Sequence, residues 1–401
     1  MPEAVIVATA RTPIGRANKG SLVDCRPDDL SSLIVDAVLK KVPALDRQTV
    51  EDVIWGCAQP AGEAGTNIAR VTAILAGMPN VPGTTVNRYC SSSLQTIRMA
   101  AHAIKAGEGD VFVSGGVETV SRFQFGMADG GPKNPKFEPA VQRTAERSTG
   151  GVPVWESIDG FPDVYIAMGQ TAENVAQFEK VSRQEQDEFA ALSQQRAVAA
   201  QERGFFEMEI TPVALPDGTV VNKDDGPRAG TTVEKLSELK PVFRPDGTVT
   251  AGNACPLNDG AAAVVVMSDS KARELGLTPL ARIIASGVTG LDPEIMGLGP
   301  IEACRQAMKR AGMTIKDIDL VEINEAFAAQ VVPSAKHLGI EWDKLNINGG
   351  AIALGHPFGM TGARIMTTLL HNLQDTGKTI GMESMCVGGG QGMAMIVERL
   401  S

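Results

Sequence analysis

Apolar residues recur at helical spacing at Leu30, Leu33, Ile34, Ala37 and Val38, and the apolar run around Val53 and Ile54 then reads as a strand. The same order returns downstream, where Ile301, Cys304, Met308 and Ala311 mark a helix and TIKDIDLVEIN (Thr314 to Asn324) resembles TVEDVIWG (Thr49 to Gly56). This repetition predicts a duplicated βα unit. It continues in TTVNRY (Thr84 to Tyr89), read as a strand that ends at Cys90, followed by a helix faced by Leu94, Ile97, Ala101 and Ile104 and the strand VFVSGG (Val111 to Gly116). In the second half KLNING (Lys344 to Gly349) takes the place of the strand, GHPFGMTG (Gly355 to Gly362) leads into a helix, and GMESMC (Gly381 to Cys386) is the next strand.

The chain therefore divides into an N-terminal half, 1–270, and a C-terminal half, 271–401. Residues from about 121 to 248 are rich in Gly, Pro and charge, with one clear helix near Ser182 to Gln201, and read as an inserted loop subdomain. The segment AGNACPLNDGAAAVVVM (Ala251 to Met267) returns to a strand and closes the first half. The expected fold is α/β: two similar halves with mixed sheets packed in layers.

Composition adds limits. The 401 residues are 43% hydrophobic, enough for a large core, and no segment approaches the roughly 18 apolar residues of a membrane helix. The formal charge of -10 argues against nucleic acid as a partner. No cationic leader precedes the first apolar run, and six cysteines without CxxC pairs suit a reducing, cytoplasmic setting with no metal site.

Cys90 stands just before a helix, where unpaired N–H groups and the helix dipole are expected to lower the thiol pKa. A buried cysteine is by default a small hydrophobe, so its company decides. His356 lies between glycines in GHPFGMTG, whereas His102, His337 and His371 fall in helical stretches. Cys386 opens CVGGGQG, a loop whose bare amides, Gly388 above all, suit a developing oxyanion. The loop lacks the Lys-Ser/Thr of a phosphate-binding loop.

NRYCSSSLQ, NEAFA (Asn324 to Ala328), GHPFGMTGAR and CVGGGQGMA together resemble the thiolase family, as do ARTPIG, SGGVETVSR, MGQTAENVA and TAGNA in the same order across the chain. The resemblance implies cleavage of a 3-oxoacyl-CoA to acetyl-CoA and a shortened acyl-CoA. Cys90 would carry the acyl group and Cys386 would act as acid and base. His356, with a water held by Asn324, would stabilise the enolate, and Gly388 would help hold the thioester oxygen. It further implies CoA as a substrate without a resident cofactor, CoA contacts at Met168, Arg228, Phe243, Ala251 and Phe327, and a homodimer or homotetramer.

Two departures touch the site: Ser93 replaces a usual Gly, and Cys255 a usual Ser. Ala167 stands where the short-chain biosynthetic branch commonly has His. This favours a 3-ketoacyl-CoA thiolase of β-oxidation over an acetoacetyl-CoA-forming acetyltransferase. A decarboxylating synthase would pair its cysteine with two histidines or His and Asn, and a binding protein without catalysis would not need all four reactive residues.

Overall fold

The structure, a computed structural model, describes residues 2–401. The first half is built from strands β1 (Ala4–Arg11), β2 (Gly15–Arg16), β3 (Asp52–Gly56), β4 (Gly83–Val86) and β5 (Val111–Thr119) with helices α1 (Pro27–Lys40), α2 (Ile68–Leu75) and α3 (Ser92–Ala106). The middle of the chain adds α4 (Glu138–Arg147), α5 (Met168–Phe178), α6 (Arg183–Glu202), the short strands β6 (Val213–Ala214) and β7 (Val220–Val221), and α7 (Val233–Ser237). Strand β8 (Asn258–Ser268) and helix α8 (Asp269–Glu274) return to the first half. The second half follows as β9 (Ala281–Gly290), α9 (Gly299–Ala311), β10 (Leu320–Ile323), α10 (Ala328–Leu338), α11 (Ala351–Leu354), α12 (Thr361–Thr376), β11 (Ile380–Val387) and β12 (Gln391–Arg399).

The duplication is visible in the strand order β10-β11-β12-β9-β1-β8-β5-β3-β4. Outward from the centre, β1, β8, β5 and β3 repeat as β9, β12, β11 and β10, with β3 parallel to β5 and β10 parallel to β11. The halves meet where β1 pairs β9 through Val5 with Arg282 and Ile6 with Ala281, so their strands form one continuous sheet rather than two separate ones.

The layers are set by three cores. The central one joins Leu94 and Ile97 of α3, Ile365 and Leu369 of α12, and Val264, Met385 and Met393 from strands of both halves. One outer core packs Ile34 and Val38 of α1 against Val53 and Val265, and the other packs Cys304 of α9 and Val331 of α10 against Val321 and Ile396. Alternate strand residues thus face opposite cores, and α3 and α12 are buried between the halves. Each such aliphatic side chain contributes about 1.5–3 kcal/mol by leaving water. A Cβ on Gly362 would lie 2.4 Å from the Leu94 backbone nitrogen, so α3 and α12 meet along bare backbone.

Three expectations are corrected. The segment Lys344 to Gly349 is not a strand: only Leu345 bridges Val321. Asn346 sits at φ 45° and Gly349 at φ 78°, which turns the backbone out of the sheet. The Asn346 side chain instead bonds both the N–H and the C=O of Ile323, at 2.9 Å each. In TTVNRY the strand stops at Val86, before Cys90. The middle region holds four helices rather than one. The predicted one, α6, starts at a capping box in which Ser182 Oγ accepts from the Glu185 N–H and Glu185 bonds back to the Ser182 N–H. Helix α5 was hidden from apolar periodicity because its buried face carries Gln170, Thr171, Glu173 and Asn174. Glu173 there accepts from the N–H groups of Thr248 and Val249.

Candidate active site

Cys90 lies in a single helical turn, Tyr89–Ser91, between β4 and α3. Tyr89 is held at φ 43°, a costly conformation for an aromatic residue, by its N–H bond to Asn87 Oδ1 at 2.8 Å. The Ser92 hydroxyl closes the turn, donating to the Tyr89 carbonyl and accepting from the Arg88 N–H. Arg88 and Gln391 tie this turn to the second half at 2.7 Å, and Gln391 in turn donates to the Gly388 carbonyl. The Gly388 N–H is thereby brought to the Cys90 sulfur.

The expectation of a lowered Cys90 pKa fails. Burial pushes the thiol up to about 11, outweighing the hydrogen bonds from the Gly388 and Cys90 N–H groups, and the buried Glu118 carboxylate adds to the rise. Removal from water disfavours the thiolate more than two amides and a helix end favour it. Cys386, near the end of β11, is fully buried, and burial raises its pKa well above the usual thiol range, with the Cys90 and Cys255 sulfurs adding to the effect. Three thiols therefore share one apolar site. Cys255 arrives through pairing of its segment with NEAFA: its N–H donates to the Ala326 carbonyl at 3.0 Å, and Ala254 bridges Phe327.

His356 and Asn324 meet each other, with His356 Nε2 3.3 Å from Asn324 Nδ2, and Phe358 of the His356 loop lines the pocket over Cys90. His356 Nδ1 is 2.6 Å from Thr361 Oγ1, whose own proton goes to the Pro357 carbonyl. Nδ1 must then carry the ring proton and donate, leaving Nε2 as a lone pair that accepts from Asn324. Burial, with the Arg364 charge second, pushes the His356 pKa down to about 3, so the ring is neutral at neutral pH. Asn324 Oδ1 is buried with no hydrogen-bond partner in the protein. The loop is further fixed by the His356 N–H bond to Asn258 Oδ1.

Glu118, which the sequence reading passed over within SGGVETVSR, joins the halves at this point. Its carboxylate accepts from the N–H groups of Ala58 at 2.8 Å, Gln59 at 3.2 Å and Gly359 at 2.9 Å. A charged residue ending the otherwise apolar run of β5 was the available signal. The unusual Ser93 serves a similar end, accepting from the Ala363 N–H in the first turn of α12.

Met168, Phe243 and Phe327 pack together against Cys386, with the two phenyl rings 6.2 Å apart. Ala251 and Arg228 lie farther out and are exposed. Arg228 has no acidic partner among the described residues, and its N–H donates to Gln194. A pocket of about 380 Å³ opens over Cys90, Gly388, Met168 and Phe358. Among the described residues there is no His/Cys/Asp/Glu cluster able to hold a metal, and no helix is long and apolar enough to cross a membrane.

Comparison with known proteins matches the model of the thiolase N-terminal domain over residues 4–270 and that of the thiolase C-terminal domain over 277–399. The chain is 45% identical to a β-ketoadipyl-CoA thiolase of Acinetobacter baylyi and 45% identical to a 3-ketoacyl-CoA thiolase of Aeromonas hydrophila, over the whole of each chain. It superposes on the crystal structure of the Bacillus anthracis acetyl-CoA acetyltransferase with a TM-score of 0.85 and 39% identity, covering 100% of this chain and 99% of that one. A cysteine-bearing turn, a neutral imidazole and a second buried thiol, set where two duplicated halves meet, thus sit in a chain that belongs to the thiolase family of acyltransferases acting on CoA thioesters.

Proposed function

We propose that the protein is a degradative 3-ketoacyl-CoA thiolase of β-oxidation. The observation that carries this reading is the Nε2 lone pair of His356, held beside Asn324 at a site that Cys90 and Cys386 share. Cys90 gives its proton to His356 Nε2 and attacks the 3-keto carbon of the substrate. The new Nε2–H then faces the thioester oxygen of the departing acetyl-CoA enolate, together with a water on the free Asn324 Oδ1. The C2–C3 bond breaks, Cys386 protonates the enolate carbon, and acetyl-CoA leaves. The proton on His356 returns to Cys386, and the freed Nε2 takes the proton of an incoming CoA thiol. The CoA thiolate attacks the Cys90 thioester, whose oxygen is held by the N–H groups of Cys90 and Gly388, and Cys90 is reprotonated from His356.

Met168, Phe243 and Phe327 line the approach of the pantetheine arm, with Ala251 farther out along it and Arg228 facing the phosphates or adenine. The two-step scheme requires ping-pong kinetics with no resident cofactor. We place the enzyme in the cytoplasm as a homodimer or homotetramer, and treat 1–270 and 271–401 as its structural halves with 121–248 inserted; the family resemblance supports both readings. The test is mass spectrometry after mixing with 3-oxoacyl-CoAs of increasing length. An acyl adduct on Cys90, absent in Cys90→Ala, with better turnover of chains beyond acetoacetyl-CoA, is the expected result. Marked preference for acetoacetyl-CoA would instead favour the acetyltransferase alternative, and no adduct would leave a CoA-binding protein.

A further inference from the structure

Of the groups assigned to CoA only Met168 lines the pocket over Cys90; Arg228, Phe243, Ala251 and Phe327 do not, whereas Asp129, Lys133, Val164 and Tyr165 from the inserted region do. Under the thiolase reading, this is the space left for the acyl arm that Cys90 receives. Its lining includes the apolar Ala58, Met168 and Phe358, which suit methylene groups, together with polar and charged side chains.

Lys133 is the one cationic side chain lining the pocket, and it has no acidic partner within ion-pair distance among the described residues. Its ammonium lies 5.2 Å from the centre of the Tyr165 ring, on the pocket wall. The Asn134 N–H donates to Tyr165 Oη at 3.2 Å, so the phenol proton is free to donate. Phe137 braces the Tyr165 ring edge-on at 5.4 Å, which fixes where that proton can reach. Asp129 is the counterweight, but it is bound to Gln59 on two sides: the Gln59 amide donates to its carboxylate, and its own N–H donates to Gln59 Oε1 at 2.9 Å. The wall thus offers a cation with no carboxylate partner and a free phenol proton side by side.

We propose that Lys133 and Tyr165 form a subsite for a carboxylate at the far end of the acyl arm, so that the preferred substrates are 3-oxoacyl-CoAs of dicarboxylic acids. Such an arm places methylenes against the apolar part of the wall and its terminal oxygens on the two donors. A methyl-ended arm of the same length leaves Lys133 unpaired and gains nothing from Tyr165.

The test compares 3-oxohexanoyl-CoA with 3-oxoadipyl-CoA, and 3-oxooctanoyl-CoA with 3-oxosuberyl-CoA, by kcat/KM in the wild type and by Kd in Cys90→Ala protein, where no turnover occurs. At least one carboxylated substrate should be favoured by about fivefold or more in both measurements, as expected for a charge-assisted contact at a partly exposed site. Lys133→Met should abolish that ratio, Tyr165→Phe should reduce it, and Asp129→Asn should raise it. Equal or better use of the methyl-ended substrates by the wild type, or a ratio unchanged in Lys133→Met, overturns the proposal. Discrimination in Kd without turnover would instead leave the subsite standing and remove the thiolase reading on which it rests.

Discussion

The hydroxyl of Thr361 accepts from His356 Nδ1 at 2.6 Å and donates its own proton to the Pro357 carbonyl, so one threonine decides which ring nitrogen keeps its lone pair. Thr361→Val removes that acceptor while keeping the shape. The ring is then free to adopt the other tautomer, in which Nε2 carries the proton and cannot accept one. Loss of the outer partner of a metal-ligating imidazole costs roughly 10–100-fold, which sets the scale for losing an orienting hydrogen bond. We expect kcat to fall within that range with KM little changed, and the tautomer change to appear in the ring nitrogen shifts by NMR.

The depressed pKa of His356 sets a sign. A base held neutral in the fold binds protons less tightly there than in the unfolded chain, so its contribution to stability is present above the ordinary histidine pKa of about 6.5. It is lost as pH falls from there towards about 3. The imidazole should accordingly show neutral ring shifts at pH 5, and titration of His356 near 6.5 in the free protein would contradict its burial.

Cys90 at rest is a protonated thiol. Alkylation of the free protein by iodoacetamide should accelerate with pH up to about 11, following the raised thiol pKa, instead of levelling near the ordinary cysteine value of about 8.5. Peptide mapping of the alkylated protein assigns the rate to Cys90. A plateau reached by pH 8 would mean that the amides of Gly388 and the helix end outweigh burial after all.

We expect Glu118 to set the acid side of the activity profile. Burial pushes its carboxyl up to about 7, against three backbone donors that favour the ionised form. Protonation as pH falls through 7 puts a hydrogen on an oxygen that now accepts from Gly359 or Ala58, loosening the link between the His356 loop and the Cys90 wall. We expect kcat/KM to decline below pH 7 in the wild type. In Glu118→Gln one of these N–H groups is left facing an amide NH2, at a cost of roughly 1–3 kcal/mol in stability, and the decline near pH 7 disappears from a lowered profile.

The duplication was legible because Thr49 to Gly56 and Thr314 to Asn324 keep their apolar alternation under different residues, and the strand order repeats it. Cys90 was legible from its place before a helix, and His356 and Cys386 from the glycines beside them, whereas Asn324 came only with the family resemblance; the structure sets Asn324 against His356 and Cys386 near Cys90. Glu118 and Thr361 were not legible as partners. Their roles depend on contacts across 241 residues in one case and on a hydroxyl's direction in the other, and neither leaves a periodic trace. Helix α5 and the failed strand at Leu345 have the same cause: polar side chains that bond buried backbone imitate neither apolar pattern. The Cys90 pKa was misjudged because a sequence shows the helix end but not the depth of burial.

Glu322 and Glu383 are direct neighbours across the parallel pair β10 and β11, and both are buried. Glu322 accepts from Asn372, while both Glu383 oxygens and two nitrogens of the buried Arg364 have no partner in the protein. Burial pushes Glu322 up to about 8 and Glu383 well above the carboxylate range, each partly countered by the Arg364 charge. Two like charges and one cation at low dielectric are best satisfied when at least one carboxyl keeps its proton. The fold therefore holds a proton that the unfolded chain releases near pH 4.3. By linkage, this stabilisation is complete below that pH and is lost as pH rises through about 8. Thermal unfolding between pH 5 and 9 should show Tm falling towards the alkaline end. Glu383→Gln, which is neutral at every pH and similar in volume, should flatten that fall. A wild-type Tm independent of pH over this range, or a Glu383→Gln profile parallel to it, would show that the pair does not hold the proton its burial demands.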